Sequence, residues 1–591
     1  MRSRASRLVL SVATLAVGLG LAVHAAYIDR AGANAVYMDT LRLLWQWSEF
    51  RDGNLSLLAL WGQGGGAHSG LLFQSVLAAN VSWFGLDPLL ANRSTGVVMA
   101  VVALLLLASY AIDLRRSDRN VPVLSQVMVI LAVAGLCFSL AGFELMTLDL
   151  GLGLWLKNLL IFVLFLAHAE TLRRGKVPSL TTSFALAGYG VFVILFCAMG
   201  WSYAVIGAIV GVQLLHHLSV RRWPDVRQAL LPLALLGGQL AVTLGKRMHF
   251  GHADEANVTI GADTLRQWLL SLSSTFVNAE AAAKLGLSTH LLMALGGLLA
   301  IGFALATVLR LRDRSASLMP LHLIAYASLC ALSFVVARGA LGDDAVMASR
   351  YHMDVLPGFV GLLWVVSMSG RSGEASRRNS FGAVAVLFLM LAVFQARQAS
   401  IEWATAPYRK VSFVAINELL QAGVPDQKAA DLLQAPIEDA RRAVDVMRRD
   451  RLAVFRGSPG LSADEGSCSR EWRAGEGWYA QEGSGRWSSA RAVFELAACA
   501  CAYRIELFIP EGHAPRTVTV STTSGDARPT ARLELAPGLV TVLRLPEASE
   551  ARQYRLVSSR TTIPAELGIN QDVRALGVYM GPAHADCAVA K

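Results

Sequence analysis

Long apolar runs separated by short polar turns fill about the first two thirds of the chain, and short alternating runs fill most of the part beyond residue 465. About eleven of the long runs suffice to cross roughly 30 Å of hydrocarbon as helices. They fall near residues 7 to 27, 95 to 112, 121 to 142, 150 to 169, 181 to 200, 203 to 218, 228 to 245, 288 to 309, 319 to 337, 353 to 370 and 380 to 396. One further stretch, Leu71 to Phe84, is interrupted by Gln74, Asn80 and Ser82, so it is expected to lie in the interface or to re-enter rather than cross.

Charge assigns the faces. The start carries Arg2, Arg4 and Arg7, and every second gap thereafter carries three more basic residues: Arg115, Arg116, Arg119; Arg173, Arg174, Lys176; Arg221, Arg222, Arg227; Arg310, Arg312, Arg314; Arg371, Arg377, Arg378. By the positive-inside bias these segments face the cytoplasm. An odd number of crossings then leaves the carboxyl terminus outside, with loops 28 to 94 and 246 to 287. The expected protein is a multi-pass one of an inner (cytoplasmic) membrane, its amino end cytoplasmic and its carboxyl-terminal domain periplasmic or extracellular. The first run also has the look of a signal peptide, closed by Ala22, Ala25 and Ala26. Its length and its agreement with the later loops favour a retained span.

The formal charge of +10 would ordinarily suggest a nucleic-acid partner. Here eighteen of the basic residues sit in inner segments against six acidic ones, Asp113, Asp118, Glu170, Asp225, Asp313 and Glu374. Topology accounts for the excess, and nucleic acid is set aside. Cys137, Cys197 and Cys330 lie inside spans. Cys468, Cys499, Cys501 and Cys587 lie in the outer tail, where one or two disulfides are expected. Their pairing is open, although Cys499 and Cys501 would share one strand face and suit each other poorly.

Three domains are expected: a membrane domain over 1 to 400, a helical connector over 401 to 460, and a β-sandwich over 461 to 591. The sandwich is inferred from runs such as Ala492 to Leu496, Tyr503 to Ile509, Thr517 to Ser521, Ala531 to Leu535, Val540 to Leu545 and Gln553 to Val557, broken by Pro, Gly and Asp.

Candidate chemistry gathers in the outer loops. Residues 41 to 50, with Trp45 and Trp47, predict an amphipathic helix in the membrane interface. Asp39, just ahead of it, could act as a general base or help to hold a divalent cation; it could equally cap that helix. Glu144 and Asp149 stand in the short turn after the third span, either as ligands of an acceptor or metal or as solvated charges. Lys246, Arg247, Arg338 and Arg350 are outward-facing cations, able to hold a phosphate or simply to anchor helix ends. His68, His249, His252, Tyr351 and His352 complete the polar set around these loops. A zinc site from His249, His252, Asp254 and Glu255 lacks a supporting helical register, and a substrate loop suits them better.

In layout, a long first outer loop with an acid soon after span 1, a second long outer loop and a soluble outer tail resemble the GT-C superfamily of membrane glycosyltransferases. The resemblance implies a polytopic α-helical membrane protein of about eleven spans, GT-C-like, with a carboxyl-terminal extracytoplasmic β-sandwich. It implies Asp39 as catalytic base, Glu144 or Asp149 toward acceptor or metal, and Lys246, Arg247, Arg338 and Arg350 toward the donor phosphate. The spacing of Glu144 and Asp149 departs from the compact acidic pair of metal-dependent members, so the cofactor, a divalent cation or none, stays open. Arg350-Tyr351-His352 resembles the Arg-Tyr sequence of many multispanning sugar-transfer proteins. Gly485-Arg486-Trp487 with residues 563 to 578 resembles the jelly-roll-like accessory domains of some bacterial glycosyltransferases. The implied partners are a polyprenyl-phosphate-linked sugar, a glycan or lipid acceptor of the cell envelope, and membrane lipids. The alternative is a non-catalytic membrane protein for polysaccharide transport, flipping or assembly, with a glycan-binding outer domain.

Overall fold

The structure, a computed structural model, describes the chain except residues 1, 63–69, 118–120, 174–176, 198–200, 222–223, 251–260, 314–315, 371–373, 425, 457–471, 483–484, 500, 511, 524–528, 568–571 and 587–591. In order the helices are α1 (Arg2–Ala31), α2 (Asp39–Arg51), α3 (Leu57–Gly62), α4 (Leu72–Phe84), α5 (Pro88–Arg116), α6 (Val123–Cys137), α7 (Phe143–Thr147), α8 (Gly151–Arg173), α9 (Leu180–Cys197) and α10 (Trp201–Val220). They continue as α11 (Val226–Phe250), α12 (Ala262–Ser273), α13 (Ala279–Lys284), α14 (Thr289–Leu311), α15 (Met319–Arg338), α16 (Asp343–Val346), α17 (His352–Ser367), α18 (Glu374–Gln421), α19 (Gln427–Leu432) and α20 (Ile437–Asp450). Among the described residues ten strands come after them: β1 (Arg473–Ala474), β2 (Trp478–Glu482), β3 (Gly485–Ser488), β4 (Arg491–Leu496), β5 (Ala502–Phe508), β6 (Arg516–Thr522), β7 (Ala531–Leu535), β8 (Val540–Leu545), β9 (Arg552–Ser558) and β10 (Tyr579–Asp586). The chain divides into two compact units, Met1–Trp403 with Leu433–Val446, and Ala404–Leu432 with Met447–Lys591.

Among the described residues, ten helical segments are long and apolar enough to cross a membrane, one fewer than the pattern predicts. The difference is α17, whose 16 residues give a length of roughly 24 Å at 1.5 Å per residue. Every residue of α17 except Val366 is buried, so it is enclosed by other helices on all sides. The stretch beginning at Leu71 is the 13-residue α4, too short to cross, in keeping with its polar positions.

Among the described residues, three prolines lie inside helices, Pro232 in α11, Pro357 in α17 and Pro407 in α18, and each removes the N–H that would pair with the carbonyl four residues earlier. A side chain from another helix supplies the missing donor each time. For Pro232 the Gln228 carbonyl accepts from Gln213 Nε2 at 3.1 Å; for Pro357 the Met353 carbonyl accepts from Asn158 Nδ2 at 3.2 Å; for Pro407 the Trp403 carbonyl accepts from Arg30 Nε at 3.1 Å. The helices therefore continue through their prolines, and α18 runs for 48 residues from the last apolar span into the region expected to be a separate connector.

Charges assigned from sequence to inner loops turn inward at one end of the first unit. Asp113 is buried at the end of α5 and receives Arg310 of α14, the indole N–H of Trp364 at 3.0 Å and the Ser317 amide at 3.0 Å, with Arg173 at 3.5 Å. A buried carboxylate persists only when so fully paired, and the network ties α5, α8, α14 and α17 together.

The second unit holds two five-stranded antiparallel sheets, ordered β1-β4-β9-β6-β7 and β2-β3-β10-β5-β8. Phe494, Ile505, Leu507, Val518, Val520, Leu543, Leu556 and Met580 fill the space between them. Alternation explains the register: in β4 the inward Ala492, Phe494 and Leu496 are buried while Arg491 is exposed. The strands β4 to β9 coincide with the alternating runs read from sequence. In β2, β3 and β10 the two faces differ too little for alternation to mark them. Cys499 and Cys501 are each in a disulfide, and Cys468 and Cys587 lie outside the described residues.

Candidate functional site

Three segments far apart in sequence meet in the first unit: the start of α2, the turn that holds α7, and the 3₁₀ turn Ser349–Tyr351. Met38, immediately before α2, has φ 58°, a left-handed conformation that costs an L residue of order 1 kcal/mol or more. Its N–H is held by the Leu433 carbonyl at 2.9 Å, which fixes where the helix starts. Asp39 is the first residue of α2 and makes no capping bond; its carboxylate, about half exposed (47%), pairs with Arg42 at 3.2 Å. Of the three roles open to Asp39 in the sequence, the cap is the one the structure does not contain. One turn further, Trp45 donates to Asp439 at 2.9 Å, and Arg442 lies over its ring at 4.9 Å, so α20 packs on α2.

The neighbouring Thr40 is buried and donates to Asp149 at 2.7 Å. Asp149 sits between α7 and α8, where Gly151 packs directly on the Leu145 carbonyl and leaves no room for a Cβ. Burial pushes the Asp149 carboxyl up to about 7, against the pull of the Thr40 hydroxyl and of nearby backbone N–H groups. A group so placed is half ionised near neutrality.

Glu144, at the other end of α7, faces the 349–351 turn. It accepts from the Ser349 hydroxyl at 2.6 Å, from the Arg350 amide at 3.0 Å and from the Arg350 guanidinium at 3.5 Å. Burial opposes the charge of Arg350, yet the carboxylates of Glu144 and Asp39, with Tyr351, raise its proton affinity above the usual arginine value. Arg350 thus stands within electrostatic reach of two acids that the sequence separates by more than a hundred residues. Tyr351 stacks on Phe334 with ring centroids 4.0 Å apart, and the Arg350 guanidinium lies 5.5 Å from its ring centre. His352 is buried and donates through Nδ1 to the Ser274 carbonyl at 3.1 Å, while its Nε2 is buried with no hydrogen-bond partner among the described residues.

Beneath this turn lies a buried ion pair. Lys157 of α8 donates to Asp354 of α17 at 2.7 Å; Tyr326 of α15 donates to the same oxygen at 2.8 Å; Trp201 presents its ring to Lys157 at 3.8 Å. The charged Lys157 is conspicuous in its apolar run, but nothing local in the sequence names Asp354 as its partner. Thr40, Arg42 and Ser349 carry no local signal either, because each is an ordinary polar residue whose contact with Asp149, Asp39 or Glu144 is known only from the structure.

The remaining candidates stand apart. Among the described residues, Lys246, Arg247 and Arg338 make no ion pair or hydrogen bond with Asp39, Glu144 or Arg350, and Arg247 and Arg338 are exposed. His68 and His252 lie outside the described residues, as does the side chain of His249. Glu144 and Asp149 are committed to different partners, and among the described residues no group of three His, Cys, Asp or Glu is placed to hold a metal. In the second unit, Trp487 is buried against Phe508, Leu576 and Tyr579, and Arg574 pairs with Asp572 and Glu482, both at 2.6 Å. A groove of about 330 Å³ in that unit is lined by Lys410, Glu418, Arg504, Glu506, Phe508 and Tyr579.

No known protein family, curated protein or solved structure matches this chain.

Proposed function

We propose that this is an integral membrane glycosyltransferase of GT-C type, moving a sugar from a polyprenyl-phosphate carrier to a hydroxyl of a cell-envelope glycan or glycolipid on the outer face. The observation that carries the reading is the pairing of Arg350 with Glu144 within electrostatic reach of the half-exposed Asp39. Sugar transfer from a phosphate carrier needs a base for the incoming hydroxyl and a cation for the departing phosphate, side by side. Asp39 supplies the first and Arg350, helped by Arg42, the second. Glu144 is a positioning residue, because its oxygens hold the turn that aims Arg350. Lys246, Arg247 and Arg338 would then meet the carrier lipid farther from the reacting atoms.

The orientation rests on the distribution of basic residues and on α17 crossing as an eleventh helix. Its burial on every side suits a short crossing, since neighbouring helices rather than lipid surround it.

The alternative of non-catalytic transport or assembly draws support from the Lys157–Asp354 pair, because buried charges inside a helix bundle often mark a transport path. One experiment separates the two. The reconstituted protein should release polyprenyl phosphate from a polyprenyl-phosphate-linked sugar when acceptor is present, and Asp39→Asn should lower that rate by about a hundredfold or more with the melting temperature unchanged. Full turnover by Asp39→Asn would sink the catalytic reading.

A further inference from the structure

A chain of four hydrogen-bond contacts crosses the first unit away from the candidate site, from the Leu318 carbonyl to His322 Nδ1 at 3.0 Å, His322 Nε2 to His168 Nδ1 at 2.9 Å, His168 Nε2 to Gln213 Oε1 at 3.0 Å, and Gln213 Nε2 to the Gln228 carbonyl at 3.1 Å. It joins α15, α8, α10 and α11, and His168, His322 and Gln213 are all buried. Each contact requires one hydrogen, and both ends are carbonyl oxygens that can only accept.

The orientation of the Gln213 amide is set by Pro232. Gln228 would normally receive the N–H of residue 232, and proline has none, so the amide nitrogen of Gln213 faces Gln228 and its oxygen faces His168. His168 must then carry hydrogen on Nε2, and His322, facing Leu318, must carry hydrogen on Nδ1. With both rings neutral, the two nitrogens that meet in the middle present lone pairs to each other at 2.9 Å. Turning the Gln213 amide over only moves the conflict, placing two oxygens together at the Gln228 end. Three ring hydrogens on two imidazoles satisfy every contact, and that is one proton more than the neutral pair holds.

We infer that His168 and His322 form a binding site for a single proton, held between His168 Nδ1 and His322 Nε2 inside the helix bundle. No bond other than N–H is made or broken: the proton arrives from solvent and leaves to it. A cavity of about 10 Å³, room for about one water, is lined by His168, Thr171, Arg227 and Gln228 beside the pair. The titratable and charged groups around it are His216 and His217 on α10 and Arg227 on α11, with Arg173 of α8 and the Asp113–Arg310 pair of α5 and α14 toward the helix ends. Most of these oppose a bound cation, so the hydrogen bond that the proton completes is the driving term. Bound, it ties α8 to α15; lost, it leaves one of the four contacts repulsive.

The test is nitrogen NMR of the full chain, labelled at its histidines, in lipid nanodiscs across about pH 5 to 8. The expected result is uptake of one proton by the two rings together, with scalar coupling across the central N···N contact. The signal should vanish in His168→Gln. In the double variant Gln213→Met, Pro232→Ala, where Gln228 regains a donor and His168 no longer faces an acceptor, the uptake should weaken at least tenfold, about one pH unit lower. Rings that stay neutral and uncoupled through this range in the unaltered protein would overturn the inference, as would a double variant that titrates unchanged. The first reading needs no variant to fold.

Discussion

Glu144 holds Arg350 twice, through the backbone amide at 3.0 Å and through the guanidinium at 3.5 Å, and it takes the Ser349 hydroxyl as well. One carboxylate therefore fixes both the path of the 349–351 turn and the direction of its cation. Glu144→Ala should cost about 1–3 kcal/mol, because it leaves those donors without an acceptor. Glu144→Gln keeps an acceptor for Ser349 and the amide, so it should cost less than about 1 kcal/mol. Denaturant or thermal melts of the two variants check the order; equal loss would show that charge rather than turn geometry matters.

Arg350→Lys retains the charge but lacks the planar fork that meets both Glu144 and a phosphate. If Arg350 holds the donor phosphate, KM for the polyprenyl-linked sugar should rise about tenfold or more while binding of acceptor alone is unchanged. Steady-state kinetics with donor and acceptor varied separately measure this.

Asp149 gives a pH dependence of a definite sign. Burial raises its carboxyl from the ordinary 3.8 to about 7, so between these values the folded protein holds a proton that the unfolded chain has lost. Its contribution to stability is therefore greatest below about pH 4 and is given up as pH climbs to about 7, by as much as roughly 4 kcal/mol. Asp149→Asn keeps the bond from Thr40 and cannot ionise. It should be more stable than the unaltered protein at about pH 8 and indistinguishable from it near pH 4, as read from melting curves at the two values.

The side chains that serve proline-orphaned carbonyls should be coupled to their prolines. Asn158→Ala leaves the Met353 carbonyl without a donor and should cost about 1–3 kcal/mol. In the background of Pro357→Ala, where the backbone N–H returns, the same substitution should cost distinctly less, and a double-mutant cycle reports the difference. An additive pair would refute the compensation.

Much of the architecture is legible in the sequence because it depends on what each segment must bury. Runs of twenty apolar residues have few other uses, and the alternation in β4 to β9 arises from one face meeting the core. The short α17 is harder, since an apolar run gives no sign of whether lipid or protein will surround it. The length of α18 is hidden too: Pro407 reads as a break until Arg30, from the other end of the first unit, satisfies the carbonyl it orphans.

For the candidate site, residue type and loop position are enough to select Asp39, Glu144 and Arg350. They do not tell which will meet. Charge among long apolar runs is conspicuous in a sequence because so few charged residues occur there, whereas pairing depends on distances between segments that no local pattern encodes. Lys246, Arg247 and Arg338 share the chemistry of Arg350 and make other surroundings their own. The sequence by itself determined the helical spans, the alternating strands and the stock of polar residues, through hydrophobic periodicity and the cost of burying charge. Only the tertiary structure decided that Thr40 donates to Asp149, that Lys157 answers Asp354, and that two imidazoles share one contact, because hydrogen-bond partners are fixed by where the packed helices bring them.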